Sequence, residues 1–390
     1  MRNTVLPPHK TKIQTSYHEI ESQEELKELL DQQPNIEHCA FQSVDFVVFE
    51  KDVLQKNFHD CLFLGCKLNS EIKERLDKAS CLVFPKIQVP YNVFRGELYH
   101  ASSLYKGYEI GHPESLSHCF DQRVYQHYLE KGKRATDIKE TLARSLHDHA
   151  MSNAMYELLA QYPEKKVVGM MGGHGLLRTD PIYQKVVYIS KTLTEKKYLM
   201  VSGGGPGAME ATHLGAWMAG RTEAEVEDAL QTLSKAPGFT DRLWLDTALQ
   251  VMERYPQTQY YSLGVPTWLY GHEPTSSFAT HIAKYFENAI REDGILTIAK
   301  GGIIYAPGSA GTIQEIFQDA VQNHYLSFGY SSPMVFLGKN YWTAECPIYT
   351  LLEHLMQTGK YKNLLLSLSD DIADIADAIQ RFTAEMPNEE

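Results

Sequence analysis

Tyr305-Ala-Pro-Gly-Ser-Ala-Gly-Thr-Ile-Gln-Glu315 joins an apolar run, Gly302 to Ala306, to the helical pattern Ile313-Gln-Glu-Ile-Phe-Gln-Asp-Ala. The first reads as a strand and the second as a helix, so the six residues between them form a tight strand–helix turn. Pro307, Gly308, Ser309, Ala310, Gly311 and Thr312 are all small or turn-forming. Small residues let backbone N–H groups approach an anion closely, and the start of the helix adds partial positive charge. Thr312 is placed to cap the helix or to give its hydroxyl to the same anion. The competing reading is a turn with no ligand. Two glycines, a serine and a threonine in six residues exceed what a turn needs.

Working outward, the same unit recurs. Val167-Val-Gly-Met-Met171 is a buried strand ending in Gly172-Gly-His-Gly175, and Asp180-Pro181 opens a helix reaching about Thr194. Tyr198 to Val201 is the next strand, ending in Ser202-Gly-Gly-Gly-Pro-Gly207, with a helix over Ala208 to Ala219. Gln259 to Val265 and Pro333 to Leu337 are further strands. A helix is expected over Ser276 to Glu292, with Lys284, Asn288 and Arg291 as its polar stripe and Arg291 near its C-terminal end. Strands alternating with helices imply a Rossmann-like parallel sheet covered on both faces, with ligands beyond the carboxyl ends of the strands. All three Gly-rich turns fall there.

Before about residue 160 the segments are short. Ser22-Gln-Glu-Glu25 is a capping box, and Asn69 caps a helix over Ser70 to Ala79. Cys39-Ala-Phe, Cys61-Leu-Phe and Cys81-Leu-Val-Phe recur about every twenty residues, either as a strand–helix quasi-repeat or by coincidence. Asp137 to Tyr162 reads as a long amphipathic helix with Ile138, Leu142, Leu146, Ala150 and Met155 on its apolar side. The organisation expected is a smaller α/β domain over 1–135, a connecting helix over 136–164 and the Rossmann-like domain over 165–390.

A net charge of -12 leaves no broad basic footprint for a nucleic-acid backbone. A small phosphate is still compatible, because its binding depends on local N–H groups. No apolar run is long enough to span a bilayer, and the first residues lack the apolar core of a secretory signal. Six cysteines without a CxxC pair read as free thiols in a reducing cytoplasm. His147 and His149 point to different faces of a helix, so no shared metal is expected there.

Glu315 lies one turn into its helix, where the dipole favours an acid and where it is the carboxylate nearest an anion at the turn. Gly203 to Ala208 brushes against a G-x-G-x-x-A dinucleotide fingerprint. The acidic residue expected about twenty positions on is missing, since Glu223 and Glu225 sit in a charged helical run. A nicotinamide-dependent oxidoreductase therefore fits poorly. The loop pair His272 and Glu273 is within reach of a ligand but reads more simply as solvated.

Pro307-Gly-Ser-Ala-Gly-Thr-Ile-Gln-Glu315 and Gly203-Gly-Gly-Pro-Gly-Ala-Met209, in this order, resemble the PGGxGTxxE and GGGxxGxM signatures of the LONELY GUY (LOG) family of nucleoside 5′-monophosphate phosphoribohydrolases. The resemblance covers roughly residues 165–378 and is nearer the larger bacterial purine/pyrimidine nucleotide nucleosidases, whose second turn has the shorter form seen here. Ser309 stands where the family has glycine. The place of the family's catalytic arginine falls on Glu292, one residue from Arg291.

The resemblance implies hydrolysis of the N-glycosidic bond of a nucleoside 5′-monophosphate. Glu315 and Arg291 would be catalytic, and Gly308, Ser309, Ala310, Gly311 and Thr312 would hold the phosphate. Gly172, Gly173, His174, Gly204, Gly205, Gly207 and Met209 would line the base and ribose side. It implies no cofactor and a homodimer or higher homo-oligomer. The alternative is a non-catalytic nucleotide-binding sensor.

Overall fold

The computed structural model describes residues 17–385. The chain forms two compact units that divide between Gly96 and Glu97. The division expected from composition lay near residue 135. Residues 97–131 instead pack within the larger unit, where Lys284 Nζ donates to Asp121 at 2.6 Å and Trp268 Nε1 donates to Asp121 at 3.0 Å. That buried ion pair has no local sequence signature.

The smaller unit contains β1 (His18–Ile20), β2 (Asn35–Glu37), β3 (Cys39–Gln42), β4 (Asn57–His59), β5 (Leu62–Leu64) and β6 (Leu82–Phe84). β1, β3, β5 and β6 form one parallel sheet in that order, and β2 pairs with β4 in a second. Ala40 faces Leu62, and Leu62 faces Leu82. The cysteine-led repeat is thus a succession of parallel rungs, each set against the next on a core of Phe41, Phe46, Phe58 and Phe63. The Ser22 capping box and the Asn69 cap both form as the sequence predicts.

The larger unit holds a seven-stranded, all-parallel sheet. Its strands are β7 (Val167–Met171), β8 (Leu199–Ser202), β9 (Ser262–Gly264), β10 (His281–Ile282), β11 (Ile303–Tyr305), β12 (Pro333–Leu337) and β13 (Leu365–Ser369). They lie in the order β10-β9-β8-β7-β11-β12-β13. Every residue of β7, β8, β11 and β12 is buried, the pattern of strands covered on both faces. The helices that matter to the site are α1 (Ile138–Leu159), α2 (Pro181–Glu195), α3 (Ala208–Trp217), α4 (Asn288–Ile298) and α5 (Ala310–Tyr325). The fold is a Rossmann-like parallel sheet with helices on both faces, preceded by a smaller α/β unit. No helix among the described residues is long and apolar enough to cross a membrane.

Asp180 caps α2 by accepting from the Ile182 N–H at 2.8 Å, with Pro181 in the first helical position. Asp180→Ala is expected to cost about 1 kcal/mol of stability, read as a lower midpoint in urea with an unchanged slope.

Two helix readings need correction. The expected helix over 276–292 begins only at Asn288. The preceding segment is drawn out along β9, with the Ala283 N–H bonded to Gly264 O and the Tyr285 N–H to Pro266 O. Arg291 therefore sits in the first turn of α4, so complementing a helix C-terminus cannot explain it. Lys284 is buried against Asp121 and forms no solvated stripe.

In α1 the expected apolar side holds only in part, with Ala150 and Met155 buried. Ile138 and Leu142 are exposed, while Glu140, Arg144, His147 and Asp148 are buried. Asp148 accepts from the Phe286 and Glu287 N–H groups, both at 2.8 Å. A carboxylate on one helix thereby fixes the entry of another, the one that carries Arg291.

Candidate functional site

Between β7 and β11 the sheet changes direction of winding, the place where open α/β sheets leave a crevice. Three turns meet there. The Gly173 N–H donates to Pro307 O at 3.0 Å, and the Ala208 N–H donates to Gly173 O at 3.1 Å. The approach is too close for side chains. A Cβ on Gly308 would lie 2.9 Å from the Gly173 nitrogen and closer still to the Thr312 hydroxyl. A Cβ on Gly207, whose φ is +69°, would lie 2.7 Å from the His174 carbonyl and nearer yet to that of Gly173.

A cleft of about 250 Å³ opens over this junction. Gly172, Gly173 and His174 line one wall, and Ser309, Gly311, Thr312 and Glu315 line the other. Arg291 and Glu292 from α4 and Met209 from α3 close it. A narrower recess of about 30 Å³ continues past Arg291, between Gly203, Gly205, Thr267 and Thr275. Of the residues singled out in the sequence, Gly204, Gly207, Gly308 and Ala310 line neither space; the first three pack the turns together. Glu273 was read as solvated but is mostly buried, 3.7 Å from His174 Nδ1, and lines both spaces. Tyr270, Gln314, Thr267 and Thr275 also line them without any local motif to announce it.

Ser309 occupies the N-cap of α5, yet its side chain makes no capping hydrogen bond. The first N–H groups of the helix are therefore left to an external acceptor. Arg291 is braced by a 3.0 Å bond from Nε to Val265 O, and its guanidinium reaches to 4.0 Å from Glu315. Gly203 leaves room for it, since a Cβ there would collide with the guanidinium.

Burial pushes the Glu315 carboxyl up to about 7, with Arg291 opposing and Glu292 adding to the rise. One turn on, burial likewise moves Asp319 up to about 7, although Tyr305 donates to it at 2.7 Å. Two carboxyls on one helix thus hold protons close to neutral pH.

The Gly203 turn is set from below by a buried chain of hydrogen bonds. The Gly204 N–H donates to Ser202 Oγ at 3.1 Å, His213 Nε2 lies 2.8 Å from Ser202 Oγ, and His213 Nδ1 lies 2.9 Å from Ser262 Oγ. Burial drives the imidazole down to about 3, so it is neutral and serves the turn with one donor and one acceptor.

No family model matches the sequence, and no curated protein matches it. Similar solved structures include the molybdenum cofactor binding protein of the phototrophic bacterium Rippkaea orientalis. The identity is 13%, over 55% of this chain and 95% of that one, with a TM-score of 0.34. The molybdenum cofactor carrier protein of Chlamydomonas reinhardtii is similar at 14% identity, over 56% and 98% of the two chains, with a TM-score of 0.33. These findings overturn the LOG resemblance. No family model and no curated relative supports it. The assignments as a hydrolase, phosphoribohydrolase or nucleotide nucleosidase are withdrawn with it. Short Gly-rich turns mislead here because several ligand-binding functions place the same small residues at the ends of parallel strands.

Proposed function

We propose that the cleft binds a small molecule through a phosphate group held at the start of α5. The observation that carries this reading is the uncapped N-terminus of a sixteen-residue helix, open to a cleft at the switch point of the sheet. Arg291 supplies the one guanidinium lining the cleft among the described residues. Glu315 stands beside it with a carboxyl able to give or take a proton near neutral pH, as a chemical step on the bound molecule would require.

The test is calorimetric titration with inorganic phosphate, glycerol 3-phosphate, glycerol and isolated molybdenum cofactor, the last because the similar structures are named for it. The phosphorylated ligands are expected to bind and glycerol is not. Gly311→Glu provides the control, since a Cβ at Gly311 meets nothing within 4 Å. An acid there suits the helix dipole, so the fold should survive while a carboxylate competes for the anion site. Affinity for phosphate esters is expected to fall at least about tenfold, or about 1.4 kcal/mol. Equal binding of glycerol and its phosphate, or unaltered binding in Gly311→Glu, would sink the reading.

A further inference from the structure

A second concavity lies apart from the cleft, in the larger unit, with a volume of about 410 Å³. Its walls include Tyr105, Tyr108, Trp217, Leu249 and Met252, with Glu253 at its margin. The polar tips of the three aromatic rings are all bonded into the protein. Tyr105 donates its hydroxyl to Thr275 O, Tyr108 donates to Asp246 at 2.7 Å, and Trp217 Nε1 donates to Tyr255 O at 2.7 Å. What remains for an occupant is ring surface, apolar side chain, the uncharged polar residues Ser102 and Gln257, and one carboxylate.

That combination selects by charge. Ring faces carry the negative part of the aromatic quadrupole and attract cations. Glu253 is exposed and, among the described residues, is the only charged one lining the space and makes no ion pair. An anion would meet repulsion from both kinds of group, and a strongly hydrated metal ion would find no set of oxygen ligands. A neutral apolar molecule would gain burial alone. A cation with an apolar shell gains burial, ring contacts and the carboxylate together. The volume lies within the range of small-molecule sites and is too small for a folded partner.

We propose that this cavity is a binding site for an organic ammonium ion, with the alkylated nitrogen against Tyr105, Tyr108 and Trp217 and its charge balanced by Glu253. The site is separate from the phosphate cleft and does not depend on what the cleft holds.

Choline and its uncharged carbon analogue, 3,3-dimethyl-1-butanol, share shape and hydroxyl, so their comparison isolates the charge. The full chain is titrated with each, by calorimetry and by the chemical shifts of the Trp217 indole. Choline is expected to saturate in the millimolar range or below and to bind at least about tenfold tighter than the alcohol. Glu253→Gln, at an exposed position, should leave the fold intact and remove most of that preference. Gly311→Glu, in the cleft, should leave choline binding unchanged. Equal affinity for the two compounds overturns the proposal, as does the absence of saturable choline binding. Choline binding lost in Gly311→Glu but kept in Glu253→Gln would place the ion in the cleft and overturn it equally.

Discussion

Replacing Arg178 by leucine is expected to lower the unfolding free energy by about 3–5 kcal/mol, because it strands a carboxylate in the core. Arg178 and Glu210 are both almost fully buried. Arg178 Nε donates to Glu210 Oε2 at 2.9 Å and its terminal nitrogen to Oε1 at 2.5 Å, the two-pronged geometry in which guanidinium and carboxylate match. Tyr183 adds a third bond to Glu210 at 2.9 Å. The other terminal nitrogen donates to Ala236 O, Trp244 O and Thr247 Oγ1, and the group lies 4.6 Å from the centre of the Trp244 ring.

Glu210 stands in the first turn of α3, directly after the Gly203–Gly207 turn, so the loss would also loosen one wall of the cleft. Chemical denaturation of Arg178→Leu, of Glu210→Leu and of the double variant Arg178→Leu/Glu210→Leu measures this. The double variant is expected to recover part of the loss, since a buried charge without its partner costs more than removal of the pair. A double variant as unstable as the sum of the two single ones would contradict the argument.

Glu315→Gln is expected to stabilise the protein at pH 8 and to leave its stability unchanged near pH 4. Burial raises the folded-state carboxyl from its ordinary 4.5 to about 7. Between those values the folded chain holds a proton that the unfolded chain has released. Stability is therefore greatest below the unfolded value and is lost as pH rises through the folded one. A displacement of this size corresponds to on the order of 3 kcal/mol once the pH exceeds 7.

Glutamine carries no such penalty, so the difference in melting temperature between variant and native chain should open across that window and then level off. Asp319 moves in the same direction, so the native chain's pH dependence should shrink in the variant without vanishing. A difference in melting temperature that does not vary with pH would refute the assignment. A carboxyl kept at such a cost is the pattern of a group retained for function.

The sequence settled the parts whose causes are local. Asp180-Pro181 opens α2, Ser22 and Glu25 close a capping box, and the runs 167–171 and 333–337 are strands at those bounds. Cap chemistry, the fixed φ of proline and an unbroken apolar run act within a few residues, so they can be read in order along the chain. The parallel order and the gathering of three Gly-rich turns at one end of the sheet follow from the strand–helix alternation.

Tertiary structure decided the rest. Whether Ser276 to Glu287 would be helix or an extended edge beside β9 depended on Gly264, Pro266 and Asp148, all distant in sequence. That choice moved Arg291 to the beginning of its helix and carried it to Glu315. Glu273 looked like a solvated loop acid until the turn after β7 brought His174 against it. The LOG-like motifs did not fix the chemistry of the turns, because a glycine turn records how closely a backbone must approach and not what approaches it. Glu315 acquires its character in the same way. Its position one turn into a helix is written in the sequence, but its proton near neutral pH comes from burial, which only the packed fold supplies.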